Sequence, residues 1–182
     1  MSKALFDTIR DIKGAPLTQA DVDAINAALS DAPGCVVSKA GLALIKSFEG
    51  LSLKAYPDPA TGGEPITIGY GHTGGVKLGT VWTQAQADSR LADDVSRFAN
   101  GVAKLIGDAP TTQGQYDAMV SLSYNVGLGN FGSSTLLKKH KAGDYAGAAA
   151  EFGKWVNAAG KRMNGLVRRR EAEAQLYRGL VS

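Results

Sequence analysis

Residues 48–72 read FEGLSLKAYPDPATGGEPITIGYGH, and this stretch decides the fold. It follows a segment in which Ser38 is a good N-cap and in which Ile45 and Glu49 lie on one helical face. Gly50 is the residue type that commonly follows a helix at the C′ position. The pattern therefore predicts a helix that ends at Gly50, with Glu49 on its apolar stripe and in its last turn.

Two short segments that alternate apolar and polar residues come next, Leu51–Tyr56 and Ile66–Ile68. They predict two strands of a small antiparallel sheet, joined by a loop over residues 57–65. Thr67 lies between two isoleucines, so its side chain should point to the opposite face from theirs. Asp58 lies between two prolines in the loop, where we expect it to be solvated and ionised.

Glu49 and Asp58 thus form a pair of carboxyl groups in contrasting environments. An apolar stripe and the negative end of a helix dipole both favour the protonated form of a carboxyl group. A neutral and an ionised carboxyl group across a cleft form the arrangement that hydrolyses glycosidic bonds. Taken singly, a Glu at a helix end, an Asp in a turn and a Thr in a strand have ordinary structural explanations. Their occurrence together, in this order, favours catalysis.

Two motifs in this stretch, E-G-L-x-L-x-x-Y-x-D and T-I-G-x-G-H, resemble the active-site signature of phage-type lysozymes, the endolysins of glycoside hydrolase family 24. Further segments that follow in the family's order are Tyr124–Gly127, Ser134–Leu137, Trp155, Gly165–Leu166, Arg169–Arg170 and Glu173. The resemblance runs from Ser38 to Leu180. It implies that Glu49 is the general acid, Asp58 the base that activates water, and Thr67 a hydroxyl that positions this water.

The resemblance also implies contacts with the saccharide. Tyr124 and Ser134 match positions where the family lines its cleft, and Thr73 follows the G-x-G-H motif at its edge; we expect all three to bind substrate. One arginine from Arg168–Arg170 is expected to approach the general acid, and the sequence leaves open which one. His72 is interpreted as a structural imidazole paired with a carboxylate or carbonyl group rather than as a catalytic residue.

The resemblance implies an α+β fold, mostly helical and two-lobed, with the small antiparallel sheet in the catalytic lobe. Thr83 and Thr112, each followed three residues later by Gln, form capping-box patterns that open two helices. The first of these is expected to be the long helix that joins the lobes, and Gly101 indicates a break or bend within it. Further helices are predicted at 134–141, 144–156 and 165–180.

The chain is expected to comprise an N-terminal helical hairpin, residues 1–34, and a lysozyme catalytic domain, residues 35–182. The hairpin lies outside the resemblance, and Gly14 and Pro16 separate its two apolar stripes. It carries five acidic and three basic residues, a poor balance for an anionic wall. A packing appendage is therefore favoured over a wall-binding module.

Composition is that of an ordinary globular protein of 182 residues, with 44% hydrophobic and 20% charged residues. The single cysteine, Cys35, excludes an internal disulfide. Together with only two histidines it predicts no metal cluster, so we expect neither a metal nor a cofactor. This disfavours a zinc amidase, the main alternative among wall-degrading enzymes.

Localisation is predicted from the N-terminus and from hydropathy. Asp7, Arg10 and Asp11 interrupt the region where a signal peptide needs an apolar core. No segment is long and apolar enough for a membrane span, so stable membrane insertion is not expected. We therefore expect the protein to accumulate in the cytoplasm of the infected bacterial host and to act on the wall after release. We also expect it to be a monomer. By resemblance to endolysins, a holin would allow that release.

Charge is distributed unevenly along the chain. From Thr135 onward there are ten Lys and Arg residues and four Asp and Glu residues, whereas the preceding part has an acidic excess. A basic C-terminal third suits an anionic polymer such as peptidoglycan. It would also suit nucleic acid, but no nucleic-acid motif accompanies it, and nucleic-acid binding is not expected.

The family resemblance, together with the contrasting pair of carboxyl groups, implies an endolysin that hydrolyses the β-1,4 bond between N-acetylmuramic acid and N-acetylglucosamine, with inversion. A lytic transglycosylase is the nearest alternative, since it needs the acid but no water; Asp58 and Thr67 argue against it. A non-enzymatic membrane-disrupting protein that uses the Arg-rich C-terminal helix is the other alternative. Glu171 and Glu173 interrupt the basic face of that helix and weaken this possibility.

Overall fold

The computed structural model describes residues 36–57, 62–158 and 160–180, together with Thr18. The chain divides into two compact units, Met1–Gly34 and Cys35–Ser182. The helices and strands described here all lie in the second unit. Apart from Thr18, the predicted hairpin at 1–34 lies outside the described residues, as does Asp58.

The described part of the second unit is built from helices and short strands. The helices are α1 (Lys39–Phe48), α2 (Gln84–Ile106), α3 (Gln113–Val126), α4 (Leu128–Gly132), α5 (Thr135–Lys141), α6 (Tyr145–Glu151) and α7 (Asn164–Tyr177). The strands are β1 (Ser52–Pro57), β2 (Ile66–Gly69), β3 (Asn157–Ala158) and β4 (Lys161–Arg162). The predicted class, α+β and mostly helical with a small antiparallel sheet, is confirmed. No helix in the described part of the chain combines the length and the apolar character needed to cross a membrane.

Helix α1 begins as predicted, because the Ser38 hydroxyl accepts a hydrogen bond from the Gly41 N–H. The buried carboxylate of Asp117, on α3, in turn accepts hydrogen bonds from the Ser38 hydroxyl and backbone N–H. The predicted helix end is wrong in detail. Glu49 is the C-cap, in extended conformation (φ −90°, ψ 131°), and Gly50 has no positive φ. The chain passes from α1 almost directly into β1, so it needs extended backbone rather than a left-handed reversal.

Strands β1 and β2 pair in antiparallel fashion, as predicted, with Tyr56 opposite Thr67. Ile66 and Ile68 are buried and Thr67 is half-buried, so the expected alternation is present. The other edge of β1 pairs with a short segment around Val81, through the Trp82 N–H to the Leu53 carbonyl (2.8 Å). This small sheet fixes the chain that follows Glu49, while α1 holds the chain that precedes it.

Helix α2 begins at the predicted capping box of Thr83 and Gln86 and continues unbroken over 23 residues. The predicted break at Gly101 is absent. Instead, a Cβ at position 101 would overlap the Leu128 side chain of α4. Gly101 is therefore a site of close helix approach, and its missing side chain lets α4 pack directly against α2.

Helix α3 is the centre of the core. It also begins at its predicted capping box, and every residue from Gln115 to Ser123 is buried. It packs against α1, α2, α4 and α7, which explains why even its polar residues Gln115, Asp117, Ser121 and Ser123 are buried. A helix surrounded in this way carries side chains toward several neighbours at once, and three of its residues, Ser121, Tyr124 and Asn125, reach the site described below.

The C-terminal elements differ from prediction at two points. The helix expected over 144–156 ends at Glu151, and residues 152–154 form a 3₁₀ turn closed by the Trp155 N–H to the Phe152 carbonyl (3.0 Å). The β3–β4 hairpin that follows was not predicted. Its strands have two residues each, too few for a period-two pattern to be recognised.

Candidate active site

Glu49 presents its carboxylate at the point where α1 meets the sheet. Its side chain is 22% exposed, and its Oε1 atom accepts a hydrogen bond of 2.6 Å from Arg169 Nη1. The backbone N–H of Glu49 still bonds to the Ile45 carbonyl, which fixes the backbone from which the side chain extends. The carboxylate is thus held at one oxygen, with part of its surface open.

Among the three candidate arginines, the structure selects Arg169 as the partner of Glu49. Its side chain is 4% exposed, and each of its three nitrogens donates a hydrogen bond. Nε bonds to Glu173 Oε1 at 3.1 Å and Nη2 to the Ser121 carbonyl at 3.3 Å. Arg168 is exposed, while the buried Arg170 is directed to Glu173. Arg169 is therefore a fixed cation that orients Glu49.

A network of buried charged and polar residues holds Arg169 in position through hydrogen bonds. Glu173 is fully buried, and its carboxylate accepts hydrogen bonds from the Ser121 hydroxyl (2.7 Å) and Arg170 Nη2 (3.0 Å) as well as from Arg169. Burial of charge is tolerated where the charges are paired and hydrogen-bonded in this way. The network ties α7 to the central helix α3 directly beneath Glu49.

A cavity of about 460 Å³ opens beside Glu49. It is bounded by polar and aromatic side chains and by loop backbone. Its lining residues are Glu49, Tyr70, Gly71, His72, Thr73, Gly74, Asp94, Arg97, Phe98, Tyr124 and Asn125. They come from α1, the loop after β2, α2 and α3, so the cavity spans the junction of the sheet with the helices.

Two of the three predicted substrate contacts, Thr73 and Tyr124, line this cavity together with Glu49. The Tyr124 hydroxyl lies 3.4 Å from the Tyr70 carbonyl, to which it donates. Burial raises the pKa of Tyr124 to about 12, and the nearby negative charge of Glu49 contributes to the same shift. The phenol therefore stays neutral and remains a hydrogen-bonding group at the cavity wall.

Ser134, the third predicted substrate contact, lies elsewhere in the described structure. It is the N-cap of α5, with 6% of its surface exposed, and its hydroxyl accepts a hydrogen bond from the Leu137 N–H at 3.1 Å. It is absent from the lining of the cavity beside Glu49. This capping role accounts for a serine at that position.

His72 has the structural partners that were expected for it. Nδ1 lies 2.7 Å from Asp94 Oδ2, and Nε2 lies 3.0 Å from the Gly74 carbonyl oxygen. The ring also packs against Trp82, with 5.6 Å between ring centroids. These contacts fasten the loop after β2 to helix α2 and so shape the cavity wall.

A second hollow lies on the strand side of Glu49, lined also by Ser52 and Tyr56 of β1. Thr67 belongs to the neighbouring strand, directly opposite Tyr56 in the register. The structure therefore brings the strand that carries Thr67 beside the strand that borders Glu49. The position of Asp58 relative to Glu49 stays a prediction.

Sequence reasoning missed Asp94, Arg97 and Phe98, which α2 contributes to the cavity. Their spacing of i, i+3 and i+4 places them on one helical face, and this was the available signal. This spacing alone does not indicate a functional site, because charged residues with the same spacing occur on most solvated helices. Among the described residues, no group of three His, Cys, Asp or Glu side chains is arranged to hold a metal ion.

The profile of the family described as Phage lysozyme matches residues 46–173. The endolysin of Bacillus phage B103 is 50% identical over 142 residues, covering 78% of this chain and 53% of that protein. The endolysin of Acyrthosiphon pisum secondary endosymbiont phage 1 is 47% identical over 145 residues, covering 78% of this chain and 97% of that protein. The chain thus spans about half the length of the first relative and nearly all of the second.

Among solved structures, an endolysin from Escherichia coli O157:H7 phage FAHEc1 superposes with a TM-score of 0.71 at 42% sequence identity. The match covers 80% of this chain and 94% of that chain. This similarity confirms the expected lysozyme fold. A family profile that matches most of the chain, with relatives at this level of identity, shows that the protein belongs to the phage lysozyme family.

Proposed function

We propose that this protein is an endolysin that hydrolyses the β-1,4 bond between N-acetylmuramic acid and N-acetylglucosamine in bacterial peptidoglycan. The observation that carries the proposal is the Glu49 carboxylate, held by the buried Arg169 at the edge of an open cavity. Membership of the phage lysozyme family and similarity to endolysins support the same function. The polar and aromatic lining suits a saccharide, which presents both hydroxyl groups and apolar ring faces.

In the proposed mechanism, Glu49 protonates the glycosidic oxygen as the bond to the leaving sugar breaks. Asp58 removes a proton from a water molecule, and the Thr67 hydroxyl orients this water for attack at the anomeric carbon. Attack from the face opposite the leaving group inverts the anomeric configuration. Arg169 keeps the Glu49 carboxyl group in place throughout, because its own position is fixed by Glu173 and Ser121.

Replacing Asp58 with Asn tests the assignment of the base. The amide keeps the shape of the side chain but cannot accept the proton of water, so we expect kcat to fall by a factor on the order of 10²–10⁴. Asp108, which is exposed in the turn after α2, provides the matched control when it is replaced by Asn. An inverting enzyme also requires about 6.5–9.5 Å between the two carboxyl groups. Full activity in the Asp58 variant would exclude this base.

The reaction itself is tested on purified sacculi and on bacteria stripped of their outer membrane. Loss of turbidity shows that the wall is degraded, and mass spectrometry of the fragments identifies the chemistry. We expect reducing N-acetylmuramic acid ends. Anhydro ends would indicate a lytic transglycosylase instead, and lysis without any cleavage of isolated sacculi would indicate membrane disruption.

We further propose that the protein is a monomer that accumulates in the cytoplasm of the infected host and reaches the wall through a holin. Similarity to endolysins supports this route. Expression in a bacterial host should give lysis only when a holin is co-expressed, and size-exclusion chromatography with light scattering should report one chain per particle. Prompt lysis without a holin would contradict the proposed release.

A further inference from the structure

Arg97 places a positive charge in the cavity beside Glu49. It is exposed on α2, and within the part of the chain that the structure describes its guanidinium forms no hydrogen bond or ion pair. The two carboxylates that line the cavity already have partners, since Glu49 is bound to Arg169 and Asp94 to His72. The charge that the cavity leaves available to a ligand is therefore the guanidinium of Arg97.

The surroundings of Arg97 place this charge beside the apolar wall of the cavity. Its guanidinium carbon lies 5.6 Å from the centre of the Phe98 ring. Phe98 meets Tyr124 edge to face, with 5.2 Å between ring centroids. The positive charge of Arg97 also lowers the pKa of Tyr124 slightly, against the larger opposing effect of burial, so Arg97 acts within the same cavity. A sugar ring against these aromatic groups would lie next to the guanidinium.

A guanidinium in this position selects for a carboxylate, because its planar fork donates two parallel hydrogen bonds to the two oxygens. N-acetylglucosamine has no carboxyl group. N-acetylmuramic acid carries a lactyl carboxyl group, which is free in bare glycan and is amide-linked in intact wall to a peptide with carboxylates of its own. The two sugars of the wall therefore differ in the chemistry that Arg97 recognises.

We propose that Arg97 is a specificity-determining residue that binds a carboxylate attached to the muramic acid unit in the cavity beside Glu49. This inference rests on the proposed function. Arg97 takes no part in bond breaking; it favours glycan that carries carboxylates over neutral glycan, and it sets the register of the polymer relative to Glu49. If Arg97 only offset the negative charges of Asp93 and Asp94 on the same helix, it would give no such substrate preference.

The experiment combines the replacement of Arg97 in the enzyme with the removal of carboxylate charge from the glycan. It therefore measures whether the effect of Arg97 depends on those carboxylates. Soluble glycan strands are prepared with their peptides and, by amidase treatment, without them, and a portion of each is converted to neutral methylamides at its carboxyl groups. Wild type, Arg97→Gln, Arg97→Lys and Arg90→Gln are compared on all four substrates by kcat/KM. Arg90 is exposed on the same helix and does not line the cavity, so its variant controls for the loss of one charge. Thermal melting verifies that every variant is folded.

We expect Arg97→Gln to reduce kcat/KM on carboxylate-bearing glycan by about tenfold, as for the loss of one charge-assisted hydrogen bond. On methylamidated glycan, Arg97→Gln should equal the wild type, and Arg97→Lys should retain part of the preference. Loss on peptide-bearing strands alone identifies a peptide carboxylate as the ligand, and loss on bare strands alone identifies the lactyl carboxylate. Loss on both means that the guanidinium accepts either.

Equal losses on charged and neutral glycan would overturn the inference, as would an unchanged preference in Arg97→Gln. Either result would leave the proposed function intact, provided that the wild type cleaves intact wall. If the wild type cleaved none of the four substrates, the proposed function would instead be refuted. The two hypotheses are thus separated by the behaviour of the wild type alone.

Discussion

Replacement of Glu49 with Gln is expected to reduce peptidoglycan hydrolysis by a factor on the order of 10²–10⁴, the usual contribution of a general acid. The amide has the size and shape of the carboxyl group but cannot deliver a proton to the leaving oxygen. Its carbonyl oxygen can still accept the hydrogen bond from Arg169 that holds Glu49 in place. The position of the side chain, the fold and saccharide binding should therefore be preserved.

The measurement compares the initial rate on purified sacculi with the free energy of unfolding, determined in urea. Glu171, exposed on α7, is replaced by Gln as the control, since this removes one carboxylate remote from the cavity. The Glu49 variant should bind sacculi as the wild type does and unfold at a similar urea concentration. A loss of stability in proportion to the loss of activity would instead indicate that Glu49 has a structural role.

The second large effect is expected on stability. Replacing Arg169 with Met should lower the free energy of unfolding by about 3–5 kcal/mol, the usual cost of removing one partner from a buried ion pair. Met fills much of the same space but donates no hydrogen bond. The Ser121 carbonyl would lose the hydrogen bond from Arg169, and Glu173 would retain Arg170 as its one cationic partner among the described residues.

Arg169→Met should also lower activity at temperatures where the variant remains folded, because the Glu49 carboxyl group loses the contact that orients it. Arg168, its exposed neighbour on α7, is the matched control, and its replacement by Met should change stability by less than about 0.5 kcal/mol. Urea unfolding and the rate on sacculi are measured for both variants. If Arg169→Met were as stable as Arg168→Met, the network would not contribute to folding as its burial indicates.

The sequence alone was sufficient where neighbouring residues determine the structure. Thr83 and Thr112 open helices at the predicted positions, because a capping box is closed by a residue three positions away. The alternation around Thr67 predicted a strand for the same reason, since opposite faces of a strand are set by adjacent residues. The motifs around Glu49 also carried the family resemblance, which the comparisons confirm.

Tertiary structure decided everything that depends on residues far apart in the chain. Arg168, Arg169 and Arg170 are equivalent as a sequence motif, and the rotation of α7 against α3 selects the one that meets Glu49, 120 positions away. Gly101 was predicted to break or bend the helix, because the sequence does not show that α4 packs against α2 at this position. The missing side chain of Gly101 leaves the space that α4 occupies. Arg97 could not be distinguished from other charged residues on α2 until the cavity was formed. A local pattern specifies which face of an element is apolar, but the partner of each side chain is fixed by long-range packing.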